Sequence, residues 1–261
     1  MREVTAVSIE SVAARLRSAG SVFAEEEAAL LLSEATTPEQ LTELVAKRMS
    51  GLPLEQILGW AEFCGLRIVV EPGVFVPRQR TAFLVELAAG LLADGDVVVD
   101  LCCGSGAAGA AIAAAVPGVD VYAADIDPAA VACARRNVPA NRVFQGDLFD
   151  ALPRSLAGSI GILVANAPYV PTDAISLMPP EARLYEAPIA LDGGADGLEV
   201  QRRIIQAAPK WIAPGGMVLI ETSGSQAPHL AELFTAGGWS AAVRHSEDFD
   251  ATVVIGTLPS Q

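Results

Sequence analysis

From Asp96 onward the chain alternates short apolar runs with stretches suited to helices, and this alternation restricts its fold more than any other feature. The runs are 97–101 (VVVDL), 119–125 (VDVYAAD), 142–147 (RVFQGD), 161–166 (GILVAN), 215–222 (GGMVLIET), 239–245 and 251–257. Helical stretches separate most of them: the Gly/Ala-rich segment after Gly106, the segment from Pro128, and 196–212 and 226–236. Alternating β and α units argue for a parallel sheet covered on both faces. The expectation is therefore an α/β fold around a mostly parallel, seven-stranded sheet. Such sheets take ligands beyond the carboxyl ends of their strands. The residues with the most chemical character sit at those ends.

Three strand ends point to a cofactor. The first runs Asp100-Leu101-Cys102-Cys103-Gly104-Ser105-Gly106 and opens a helix. Glycines at 104 and 106 let the backbone turn sharply and approach a ligand, and the helix N-terminus behind them offers free N–H groups. A glycine-rich loop alone is weak evidence, because dinucleotide folds use one too. Asp125 ends the next strand, where a carboxylate can accept both hydroxyls of a ribose; NAD enzymes also place an acid there. Gly146-Asp147-Leu148, after the third strand, discriminates. In methyltransferases an acid or its neighbour at this point lies beside adenine, with an apolar side chain flanking the ring. Each aspartate alone reads equally well as a helix cap or turn residue, but the three in order favour S-adenosylmethionine over NAD. Expected contacts are Asp100, Cys102, Cys103, Gly104, Ser105, Gly106, Asp125, Asp147 and Leu148, with Asn166 from the fourth strand end.

The fourth strand ends in Asn166-Ala167-Pro168-Tyr169, the most specific motif of the chain. An amide or exocyclic amino nitrogen is a poor nucleophile because its lone pair is delocalised into a π-system. A site that methylates it should accept hydrogen bonds from both N–H groups, orienting the nitrogen and favouring charge build-up on it. The side-chain oxygen of Asn166 can be one acceptor and the backbone carbonyl of Ala167 the other. Tyr169 can pack its ring on the planar group, and no base with a tuned pKa is needed if the proton leaves after transfer. Asn166, Ala167, Pro168 and Tyr169 are thus the candidate catalytic residues.

Together these residues resemble the protein N5-glutamine methyltransferases of the HemK/PrmC type, which modify the GGQ glutamine of class-1 peptide-chain release factors. The family's NPPY reads NAPY here. Upstream, Gly51-Leu52-Pro53-Leu54-Glu55-Gln56-Ile57-Leu58-Gly59 with Glu62-Phe63, and Val76-Pro77-Arg78, are similar to its linker segments. Downstream, the stretches from Glu181 to Pro188 and from Leu191 to Gly197 resemble its "E-V-R-x-x-E-P" and "L-x-G-G-x-D-G" segments. The resemblance covers nearly the whole chain. It implies a Rossmann-like class I methyltransferase fold, S-adenosylmethionine contacts at 102–106, Asp125 and Leu148, and the acceptor glutamine at Asn166 to Tyr169. It also implies an N-terminal helical domain that helps hold a release factor. Some positions depart from the pattern. Ala167 replaces a proline, although its carbonyl is kept and Pro168 still biases it towards an extended backbone. Pro77-Arg78-Gln79-Arg80-Thr81-Ala82 stands where the family has P-R-P-E-T-E, and Cys102-Cys103 stands for Gly-Thr. The cysteines read as small apolar filler. These changes suggest a divergent paralogue, so the implied partner is a protein with an exposed glutamine, of which a release factor is one example.

The first residues read as short helices. Ser8 precedes one ending at Gly20, a second spans 23–34, and Thr37-Pro38-Glu39-Gln40 forms a capping box for a third that stops at Gly51. Residues 61–77 alternate around Gly65 and Pro72-Gly73 as a β-hairpin linker would, and a helix is expected near 80–93. The expected organisation is a helical bundle over 1–60 that docks substrate, a linker over 61–78 and a methyltransferase domain over 79–261. A net charge of −14 argues against free nucleic acid as partner, since phosphates demand clustered Lys and Arg. It thereby weakens one alternative, an amino-methyltransferase of adenine or cytosine. The other alternative is a cofactor-binding paralogue impaired by the NAPY change. Four cysteines without a CxxC pair suggest neither disulfides nor a metal site. With no apolar leader at the N-terminus and no membrane-length run, a cytoplasmic location is expected.

Overall fold

The computed structural model describes residues 8–260; residues 1–7, on which much of the expectation about a leader rests, lie outside the described residues. The chain opens with helices α1 (Ile9–Ser18), α2 (Ala24–Glu34), α3 (Pro38–Met49) and α4 (Leu54–Leu58). Ser8 caps α1 by accepting from the Ser11 N–H, and the Thr37 hydroxyl caps α3 by accepting from the Gln40 N–H at 3.2 Å. The return bond of the expected capping box is displaced: Gln40 Oε1 accepts from the N–H of Thr36, at 2.7 Å, rather than from that of Thr37. The inward faces of the first three helices, with Leu16, Leu31, Leu41 and Val45 among them, close into a small core of their own. Burying apolar faces in this way is what makes helices of ten to twelve residues stable.

Strands β1 (Trp60–Phe63) and β2 (Leu66–Val69) form an antiparallel hairpin that turns at Cys64-Gly65. Both turn residues have positive φ, 51° and 74°, the geometry that matches the twist of paired strands. Pro72-Gly73 lies beyond the hairpin and returns the chain towards Glu186 by an isolated parallel bridge. The helix expected near 80–93 is shorter, a 3-10 turn at 79–81 followed by α5 (Ala82–Ala89).

The main sheet contains β3 (Val97–Leu101), β4 (Asp120–Asp125), β5 (Val143–Gln145), β6 (Ile160–Ala165), β7 (Ile212–Thr222), β8 (Ser240–Ser246) and β9 (Ala251–Thr257). Their order is β5-β4-β3-β6-β7-β9-β8, with only β9 antiparallel to its neighbours. This is the expected mostly parallel seven-stranded sheet. Alternate residues divide its two faces. Val99, Leu101, Leu163 and Val218 pack with Ile204 of α9 (Glu199–Ala207) and Phe234 of α10 (Ala227–Ala236). Val98, Val121, Ile162 and Leu219 pack with α5 and α6 (Ala107–Ala115). The expected 196–212 helix ends at Ala207, and β7 begins already at Ile212. Ile212 pairs with Ile160 ahead of an irregularity that ends where Met217 meets Ile162, which lengthens the strand. The chain leaves β3 outward to β4 and β5, then returns to β6 on the other side of β3. The carboxyl ends of β3 and β6 therefore flank the point where strand order reverses, the usual mouth of a ligand crevice. No helix among the described residues is long and apolar enough to cross a membrane.

Candidate active site

A cavity of about 580 Å³ opens at that switch point, within the range that takes a small-molecule ligand. All the residues singled out from the sequence line it except Gly106. Gly106 lies just beneath, at φ 77°, where a Cβ would come within 3.2 Å of Ala134 and Val138. Its lack of a side chain lets α7 (Pro128–Ala134) close up behind the loop.

The loop after β3 is tightly wound. Cys102 and Gly104 both hold positive φ, 60° and 54°. A left-handed non-glycine residue costs about 1–3 kcal/mol, a strain that concentrates at ligand sites. Cys103 packs into the small cluster of Ala123, Val131 and Val138, as apolar filler does. Burial, aided by the charges of Asp100 and Asp125, drives both thiols far above their usual range, so they remain neutral. Asp125 is held by two backbone donors: Oδ2 accepts from the Gly104 N–H at 2.8 Å, Oδ1 from the Asp127 N–H at 2.9 Å. Burial raises its pKa and those N–H groups oppose the rise. Asp100 accepts from the Gly109 N–H at 2.8 Å and is pushed up to about 7, first by burial and then by the charge of Asp125. Asp147 meets Arg203 at 2.6 Å on the rim, and Leu148, at φ 50°, lines the wall beside it.

The loop after β6 is held from several sides. Gln201 Nε2 donates to Pro168 O (3.1 Å), Gln226 Nε2 donates to Tyr169 O (2.9 Å), and the Gly193 N–H donates to Val170 O (2.8 Å). Gly193 packs so closely that a Cβ would reach 2.8 Å from Pro168 O. The glycine-rich stretch 191–197 thus forms the floor under the motif. The carbonyl of Ala167 and Oδ1 of Asn166 have no protein donor among the described residues. The Asn166 amide is oriented by Nδ2, which donates to Thr81 Oγ1 at 3.1 Å. That bond turns Nδ2 towards Thr81 and leaves Oδ1 as an acceptor.

Several supporting residues escape sequence reasoning. Thr81 sits in a turn without periodicity. Asn137 donates to Val69 O and Ser105 O, tying the hairpin to the loop after β3. Gln201 is a fully buried polar side chain on an amphipathic helix, a signal that could have marked it. Both oxygens of Glu186 accept from Arg78 Nη2 at 2.7 Å, and Oε1 also from the Val76 N–H, so the upstream and downstream motif segments meet at the cavity edge. His229 and His245 do not line the cavity.

Comparison with known proteins gives the same architecture and narrows it. A methyltransferase small domain model matches residues 65–194. A release factor glutamine methyltransferase of Geobacter sulfurreducens is 38 % identical over 209 residues, covering 77 % of this chain and 72 % of the relative. A 4-amino-L-phenylalanine/4-methylamino-L-phenylalanine methyltransferase of Streptomyces pristinaespiralis is 35 % identical over 215 residues, covering 78 % and 73 %. Among solved structures, a methyltransferase from Pyrococcus furiosus superimposes with a TM-score of 0.57 at 19 % identity, covering 75 % of this chain and 90 % of that one, a likeness of fold.

Proposed function

The chain belongs to the release factor glutamine methyltransferase family, and from that premise we propose that the cavity methylates the side-chain amide nitrogen, N5, of a protein glutamine, the GGQ glutamine of a class-1 release factor in the first instance. The observation that carries this reading is the pair of undonated oxygens, Asn166 Oδ1 and Ala167 O, on a loop whose next three carbonyls are all taken.

S-adenosylmethionine is the cofactor, and when bound it supplies a methyl group made electrophilic by its sulfonium sulfur. The residues present fit it. Asp125, fixed by two backbone N–H bonds, faces the cavity as a ribose partner should, and Leu148 with Ile126 offers apolar walls for a purine. The wound loop 102–106 would hold the ligand's amino-acid end with its backbone. Cys102, Cys103 and Ser105 fill space here, and Asp100 braces the loop through Gly109. Asp147 pairs with Arg203 and would border the adenine end.

The acceptor amide donates its two N–H bonds to Asn166 Oδ1 and Ala167 O. These bonds fix the plane of the group and turn the nitrogen towards the methyl donor's side of the cavity. They also strengthen as positive charge builds on the nitrogen, which favours the transition state over the ground state. Tyr169 lies against the planar group, and Pro168 keeps Ala167 extended so that its carbonyl points inward. The proton leaves to solvent once the nitrogen is methylated.

Leu177, Leu184 and Ile189 expose large apolar side chains beside the cavity mouth, formed in part by Met178, Pro179 and Ala182. Exposed apolar clusters of this kind mark protein contact surfaces. We assign this rim, together with the helical bundle, to the body of the protein substrate, and place the reaction in the cytoplasm, where release factors act.

The test is mass spectrometry of a release factor incubated with the enzyme and S-adenosylmethionine, with 4-amino-L-phenylalanine as a second acceptor. Methylated glutamine supports the proposal. Methylation of the aromatic amine alone would assign the site to small arylamines, which the Streptomyces relative's name brings into view.

A further inference from the structure

Three arginines line the cavity: Arg78, Arg80 and Arg203. Two of them are engaged, Arg78 by Glu186 and Arg203 by Asp147. Arg80 is exposed on the cavity wall and has no ion-pair partner among the described residues. The HemK/PrmC pattern has an acid where Arg80 stands, so whatever Arg80 meets is particular to this chain. Its place in the fold narrows what that can be. Phe75, on the same segment, lies beside the loop after β3: a Cβ on Gly104 would come 4.0 Å from the Phe75 Cβ. Helix α5, which starts just after the 79–81 turn, packs against α6, the helix that follows the same loop. Thr81, the next residue, holds Asn166 Nδ2 at 3.1 Å. Arg80 therefore belongs to a stretch of wall between the loop after β3 and the loop after β6.

The amino-acid end of S-adenosylmethionine carries an ammonium and a carboxylate. With the ribose at Asp125, the adenine at Leu148 and the methyl group facing Asn166, that end is left the wall between loop 102–106 and segment 75–81. Asp100 and Asp125, both lining the cavity, suit the ammonium and repel the carboxylate. A carboxylate brought beside such acids requires a cation that is not already committed. We propose that Arg80 is a binding residue for the cofactor's carboxylate. Its planar fork matches the two oxygens of such a group. This rests on the placement of the cofactor given above, and not on which group accepts the methyl.

The measurement is calorimetric affinity for S-adenosylmethionine and for its decarboxylated form, with the parent, Arg80→Gln and Arg80→Lys. The two ligands differ only in the carboxylate. The parent should prefer the carboxylated one by at least about 10-fold, the lower end of what a hydrogen bond between charged groups contributes. Arg80→Gln should lose about 10-fold in affinity for S-adenosylmethionine and nothing for the decarboxylated form. Arg80→Lys keeps the charge without the fork and should fall between. The cofactor-free Arg80→Gln protein should melt with the parent, since the side chain holds no ion pair there. A parent that binds both ligands equally overturns the proposal without any variant. So does an Arg80→Gln protein that keeps the parent's preference, which would leave the carboxylate to the N–H groups at the start of α6, or one that loses both ligands alike. Unchanged cofactor affinities with a raised KM for the release factor would move Arg80 to the acceptor and overturn it too. A parent that binds neither ligand is a different failure, that of the cofactor's placement, and this inference falls with it.

Discussion

In the proposed reaction Asn166 serves the acceptor and Asp125 the cofactor, and each can be removed without touching the other. Asn166→Ala takes away one of two acceptors and should lower methyl transfer at least about 100-fold while leaving calorimetric affinity for S-adenosylmethionine nearly unchanged. Asp125→Ala should do the reverse, weakening cofactor binding about 10- to 100-fold, since a hydrogen bond to a charged group contributes about 1.5–3 kcal/mol. Asp100 gives a pH signature. Its folded pKa is raised to about 7 from 3.8. As pH climbs between those values the unfolded chain gives up the proton while the folded chain still holds it, so stability falls through that window and the loss is complete above it. Thermal melts of the cofactor-free protein should therefore show Asp100→Asn more stable than the parent at about pH 8, with the gap narrowing towards about pH 5; a gap independent of pH would contradict the assignment. The acids and the NAPY motif could be picked out from their positions at strand ends. Thr81 could not, because nothing local marks a threonine in a turn; its bond to Asn166 arises only when the end of β6 and the 79–81 turn come together.

Among the elements, α3 and α8 (Pro180–Tyr185) are joined through Arg48 and through Tyr185, whose hydroxyl donates to Ser50 O at the end of α3. Arg48 binds Glu27 through Nε and Nη2 at 2.8 Å each, donates to Leu52 O at 3.0 Å, and reaches Glu181 on α8. Arg48 and Glu27 are both nearly buried, whereas Glu181 is half exposed. Arg48→Ala would strand the Glu27 carboxylate and should destabilise the protein by about 3–5 kcal/mol. Glu181→Ala, at the solvent-facing end of the network, should cost no more than about 1 kcal/mol; chemical denaturation distinguishes the two. Because α8 borders the cavity mouth, Arg48→Ala should also raise KM for the protein substrate more than for the cofactor. The strands and long helices were foreseeable because period and strand-end residues agree. Residues 170–192 were not. Prolines at 171, 179, 180 and 188 break any periodicity there, and the path is set by distant partners, as in the bridges of Val170 to Asp192 and Gly73 to Glu186. The short helix over 54–58 was hidden for a related reason. Its buried Gln56 donates to Val74 O and Tyr185 O, so a polar residue faces inward where a pattern of apolar ones was sought.

For the molecule as a whole, the reversal of strand order between β3 and β6 puts the loops after these two strands, assigned here to cofactor and acceptor, on one crevice. The Ala167 position tests how much rigidity the loop after β6 already has. Its N–H makes no hydrogen bond among the described residues, so proline is compatible there as to donors, and restoring it should add about 0.4–1 kcal/mol of stability if the ring fits. A sharp rise in release-factor methylation by Ala167→Pro would show that the loop, not the docking surface, limits the reaction. The most direct measurement is the mass and fragmentation of the GGQ peptide from a release factor incubated with S-adenosylmethionine and either the parent enzyme or Asn166→Ala. One methyl group on the glutamine amide nitrogen with the parent, and none with the variant, is the expected result. An unmodified glutamine with a parent enzyme that binds cofactor, or equal methylation by the variant, would contradict it.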